Sequence, residues 1–123
     1  MGLADLLNLR QHKRFMVNLE VTLVETVTGR EMEGRIREVS RTGMLLESID
    51  SFNGGAALDI WFFIPAEPGH EEPPVIIATG KVSHCTLQAK GQFFDVGVAL
   101  KTLDGEGRGL YERYLARLAG NAS

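Results

Sequence analysis

From Phe15 onward the chain alternates: Phe15, Val17, Leu19, Val21 and Leu23 share one parity, and Asn18, Glu20 and Thr22 take the other. A period of two over this length predicts a strand with one face in a core and one in water. "ETVTGRE" then supplies a turn around Thr28 and Gly29, and Met32 to Val39 returns as the second strand of a hairpin. "GMLLES" reads as a short third strand. After the breaker "DSFNGG" the alternation resumes through Ala56, Leu58, Ile60, Phe62 and Ile64, and it stops at Pro65, which has no N–H to give a ladder. Val75 to about Cys85 makes a fifth strand and "QFFDVGVAL" a sixth. Between the fourth and fifth lies "PAEPGHEEPP", which holds all four prolines and is expected to be a surface loop, the segment least suited to packing.

Six short strands joined by turn signals, with no helical period between them, predict an all-β architecture: an antiparallel barrel or sandwich. Only the tail changes period. Leu110, Tyr111, Tyr114, Leu115 and Leu118 fall at helical spacing, with Asp104 as the expected N-cap and Gly120 just past the end, so one C-terminal helix should close one end of the barrel.

Composition adds bounds rather than a mechanism. The 123 residues, 44% hydrophobic and 24% charged with a net charge of −3, fit one soluble domain that needs no disulfide scaffold. The single cysteine, Cys85, has no intrachain partner, which suits a reducing cytoplasm. Leu3, Leu6, Leu7 and Leu9 form a short apolar lead-in over residues 1–9. It lacks the basic start and long apolar run of a signal peptide, and no run is long enough to span a bilayer. The domain proper is expected over residues 10–120.

Catalysis is hard to build here. His12, His70 and His84 have no neighbouring carboxylate at metal-ligand or triad spacing, and no nearby histidine activates Ser40. An enzyme is therefore not expected, nor any cofactor or metal. Nucleic-acid binding would need a basic face with interleaved aromatics, and this acidic chain has one basic cluster.

That cluster is "RQHKR". Arg10 and Arg14 are four apart, so a helical turn or an extended chain sets both on one side, where two guanidinium forks suit a phosphate pair, a carboxylate or the O6/N7 edge of guanine. The alternative is a solvated basic patch. "EVSRTG" is a second candidate: Glu38 can accept the N1–H and N2–H of guanine, Ser40 offers a hydroxyl, and Gly43 permits a tight turn or close approach. A plain Ser-stabilised β-turn accounts for the same residues. On the residues alone, the two readings balance.

The arginine pair, the following hairpin, and then an acidic residue, Ser and Gly at this spacing together resemble the PilZ domain family, over Arg10 to about Leu118. "FDVGVAL", with Gly97, resembles the family's late strand. The resemblance implies a small six-stranded β-barrel with a C-terminal helix and a bacterial cytoplasmic receptor for cyclic di-GMP. Its ligand-binding residues would be Arg10, Arg14, Glu38, Ser40 and Gly43, with Leu9, Lys13, Arg41 and His84 as additional candidates, His84 at a position where some members stack an aromatic residue on guanine. Output would pass through an unidentified downstream protein, from a monomer or homodimer. The other implied role is an adaptor in pilus assembly or motility that binds no nucleotide. Glu38 supports the adaptor, because the family's motif usually opens with Asp or Asn and the extra methylene displaces the carboxylate by about 1.5 Å. Trp61, off the parity of Ile60 and Phe62, is expected to pack under the helix.

Overall fold

The computed structural model describes residues 13–121. Six strands, β1 (Phe15–Glu25), β2 (Glu31–Val39), β3 (Gly43–Ser48), β4 (Ala57–Phe63), β5 (Val75–Leu87) and β6 (Phe94–Leu103), precede one helix, α1 (Gly107–Asn121). All neighbouring strands are antiparallel, in the closed order β1-β2-β3-β6-β5-β4, with β4 pairing back onto β1. The expected barrel is present, and closure leaves no strand edge unpaired.

The alternation builds the interior. Val21, Leu23, Ile36, Leu46, Leu58, Ile60, Phe62, Ile76, Ala78, Val82, Val96 and Val98 all point inward and are essentially inaccessible. Tyr111 of α1 closes the cluster, its ring edge-on to Phe62 with centroids 6.1 Å apart. Burial of those rings drives the helix onto the end of the barrel. Phe62 faces Tyr111, so its neighbour Trp61 must face out. Trp61 is 45% exposed and does not pack under the helix, contrary to expectation.

Two other expectations at the helix need correction. α1 begins at Gly107, not after Asp104: Asp104 takes the Gly107 N–H on its backbone carbonyl, and Gly105 turns the chain with a φ of 52°. Gly120 lies inside the helix rather than beyond it. The proline-rich loop is also better held than its composition predicts. Arg113 donates to both carboxylate oxygens of Glu67 at 2.7 and 3.0 Å, and Arg117 donates to the carbonyls of Ala66 and Pro65. The Arg113 guanidinium holds the Glu67 carboxyl below its ordinary value.

Four register shifts interrupt the ladders, and two of them matter for function. Between β2 and β3, Ile36 pairs with Leu46 and Glu38 with Leu45, so Arg37 is an extra residue. Between β5 and β6, Val82 pairs with Val98 and His84 with Gly97, so Ser83 is an extra residue. Strict alternation would turn Glu38 and His84 inward after the buried Ile36 and Val82. Each bulge reverses the parity and turns the next side chain to the outside.

Candidate functional site

The two bulges place Glu38 and His84 on one transverse row of the barrel's outer face. The row runs Met16, Glu38, Leu45, Gly97, His84 across β1, β2, β3, β6 and β5. Three strand spacings separate Glu38 from His84, roughly 14 Å. Above the row lies a hollow of about 340 Å³, lined by Arg14, Glu38, Ser40, Thr42, Gly43, Leu45, Ser83, His84, Gly97 and Ala99 among others. This is within the size range of small-ligand sites.

One wall is the turn between β2 and β3. The Ser40 hydroxyl accepts the N–H groups of Gly43 at 3.2 Å and Thr42 at 3.4 Å, and it donates to the Gly43 carbonyl at 3.3 Å. The Ser40 N–H also donates to that carbonyl, at 2.9 Å. Ser40 is buried, so its hydroxyl holds the shape of the wall. Gly43 is needed for proximity, since a Cβ there would sit 2.6 Å from the Val98 carbonyl oxygen.

His84 forms the far side. Its imidazole lies over Gly97, in the space a side chain at 97 would fill. The ring is exposed, and its Nδ1 is 3.3 Å from the Ser83 hydroxyl. Across this hollow, an exposed flat ring on one side can stack on a base, while a carboxylate on the other can accept amide-type protons and a guanidinium can bind an anion.

The site thus joins Arg14, Glu38, Ser40, Gly43 and His84, five of the residues singled out from the sequence. Lys13 and Arg41 stand apart. They line a neighbouring groove with Phe15 and residues of α1, where Arg41 approaches Glu112 at 3.8 Å. Leu9 and Arg10 lie outside the described residues. Among the described residues no group of three or more His, Cys, Asp or Glu side chains is placed to hold a metal ion.

Sequence reasoning missed Tyr111. Its buried hydroxyl donates to the Ser40 carbonyl at 2.7 Å, tying α1 to the wall of the site. The available signal was a tyrosine within a helical apolar stripe, because a buried phenol needs a partner. Tyr111→Phe leaves that carbonyl unpaired and is expected to cost about 1–2 kcal/mol, read from the urea midpoint at pH 7. Burial, reinforced by Tyr114, raises the Tyr111 pKa above its ordinary 10.0. The folded state therefore keeps a proton that the unfolded chain releases, so this contribution is present below pH 10 and lost as pH rises beyond it. The Phe variant should lack that component of alkaline destabilisation.

The sequence pattern of the PilZ domain matches residues 8–117, and the chain belongs to the PilZ domain family. PilZ domains are receptor and adaptor domains that generally bind cyclic di-GMP. Among solved structures, the chain is similar to the inhibitor of motility MotI/DgrA of Bacillus subtilis, with a TM-score of 0.74 at 18% identity. That alignment covers 91% of this chain and 52% of the other, so the chain spans about half of that protein's length. No curated protein matches the chain. No described helix is long and apolar enough to cross a membrane.

Proposed function

We propose that this chain is a receptor for cyclic di-GMP and acts by binding rather than catalysis. The observation that carries the reading is the convergence of Arg14, Glu38, the Ser40–Gly43 turn and the His84 ring on one hollow of the outer barrel face. In this reading Arg14, together with Arg10, engages a guanine O6/N7 edge or phosphate, and Glu38 accepts the N1–H and N2–H of guanine. The Ser40–Gly43 wall fits the nucleotide's shape, and His84 stacks on a base. Net negative charge is no obstacle, because the cationic groups are local to a small dianionic ligand. In this reading the N-terminal arginine loop closes over the bound nucleotide, and the resulting surface is read by a downstream protein in the cytoplasm.

Calorimetric titration with cyclic di-GMP, with GMP as control, tests this. The expected dissociation constant is micromolar or tighter, about −8 kcal/mol. Absence of heat from protein with native circular dichroism would sink the receptor reading. Glu38→Asp restores the shorter carboxylate usual in the family and is expected to tighten binding about tenfold, one charged hydrogen bond's worth. Weaker binding by the Asp variant would show that the longer side chain is fitted to its ligand.

The second reading, an adaptor in pilus assembly or motility that binds no nucleotide, is favoured by a separate observation: apolar side chains exposed on the face of β4 and β5.

A further inference from the structure

That face carries a cross-strand quartet. Trp61 pairs with Ile77 and Phe63 with Val75, and these side chains are 45%, 41%, 63% and 46% exposed. Beside them, where Thr22 pairs with Trp61, the surface sinks into a hollow of about 630 Å³ lined also by Glu20, Glu33 and Arg35. Four contiguous large apolar groups around a hollow mark an interaction surface rather than scattered exposure. Ile77 and His84 lie seven residues apart on β5, about 23 Å, so this face is distinct from the nucleotide site.

The rim identifies the partner. Arg35 is already engaged, donating to Asn18 at 3.1 Å and facing Glu20 at 4.0 Å. Glu33 ends the Trp61 row, through the Thr22–Glu33 pair, and Asp59 lies two residues before Trp61 on the same face of β4, opposite Thr79. Of the charged groups that line the hollow, Glu20 and Arg35 offset each other, which leaves the carboxylate of Glu33. A two-fold contact with a second copy would set this rim against itself, and four half-exposed side chains fall short of the ~800 Å² per partner that stable interfaces bury. An anionic lipid surface meets the same repulsion. The closed barrel has no free edge to accept an added strand, so a peptide must lie across the strands with its side chains in the hollow.

We propose that the outer face of β4 and the beginning of β5 is a docking surface for an amphipathic helix of a protein partner, with aliphatic anchors on Trp61, Phe63, Val75 and Ile77 and Lys or Arg residues against Glu33 and Asp59. The proposal does not depend on nucleotide binding.

Trp61 is the only tryptophan, so its emission reports this face directly. The probes are a synthetic amphipathic helix of leucine and lysine and its leucine–glutamate counterpart, titrated into the full chain. The lysine peptide is expected to blue-shift Trp61 emission saturably and to bind at least tenfold tighter than the glutamate peptide. Phe63→Ser should weaken it about tenfold, and Glu33→Lys with Asp59→Lys should reverse the preference. All four positions tested or read lie on the outer surface, and unchanged circular dichroism establishes that each variant is folded. No shift with either peptide, or equal affinity for both, overturns the proposal. So does a blue shift on concentrating the protein alone with a doubled mass by sedimentation, which assigns the face to a second copy. A larger shift with phosphatidylglycerol vesicles than with the peptide overturns it in favour of a lipid surface.

Discussion

Arg14→Ala is expected to lower the affinity for cyclic di-GMP by about a hundredfold or more while leaving the unfolding free energy within about 0.5 kcal/mol of the parent. Arg14 is exposed, precedes β1 and lines the hollow beside Glu38 and the Ser40–Gly43 turn, so truncating it removes recognition without opening the core. A guanidinium fork makes two charge-assisted bonds to a guanine edge or a phosphate, each about 1.5–3 kcal/mol, and losing both accounts for the factor. Arg14→Lys separates charge from geometry. It keeps the cation but not the fork, and is expected to bind between the parent and the Ala variant. Calorimetry and urea titration on the three proteins decide the matter. If Ala binds like the parent, Arg14 is only part of a solvated basic patch.

The contrast between the arginine cluster and the rest of the site shows what a linear reading can resolve. Period-two alternation located β1 and β4, because in a closed barrel one side of every strand faces the same interior, and turn signals around short apolar segments located the other four. "GMLLES" coincides with β3, Gly43–Ser48. Parity arguments fail where a ladder gains a residue. Nothing in "RIREVS" or "KVSHCT" announces that Arg37 and Ser83 are extra, since a bulge is defined by the partner strand and appears only when registers are counted. The outward aim of Glu38 and His84 was therefore legible through the family resemblance, not through periodicity.

Two further misses, the anchored loop and Tyr111, share one cause, contacts distant in sequence. The prolines of the 65–74 loop signalled a loop correctly, but the arginines that hold it are on α1, 46 to 52 positions away. Tyr111 and Ser40 are separated by 71 residues. At the start of α1 the local signals conflicted. Asp104 suits an N-cap, yet the glycines that follow favour a turn over helix, and Gly105 in the left-handed region delays the first helical residue to Gly107.

Gly43→Val and Gly97→Ala should behave in opposite ways, although both glycines line the site. At Gly43 the obstacle is backbone: a Cβ meets the Val98 carbonyl oxygen at 2.6 Å and the Val98 carbonyl carbon at 3.7 Å, on the strand that Gly43 pairs with. Neither group can move without parting β3 from β6, and a branched side chain worsens the clash. Gly43→Val is therefore expected to cost about 3 kcal/mol or more, seen as a lower urea midpoint, with nucleotide binding lost alongside. At Gly97 the three nearest atoms to a new Cβ all belong to the His84 ring, the end of an exposed side chain that can swing away. Gly97→Ala is expected to leave stability nearly unchanged and to weaken nucleotide binding about tenfold, as one base loses its stacking platform, a contribution of about 1–3 kcal/mol. His84→Ala should weaken binding by a similar factor, and the double variant should be no worse than either single one. Additive losses would mean that Gly97 admits the ligand itself rather than the imidazole beneath it.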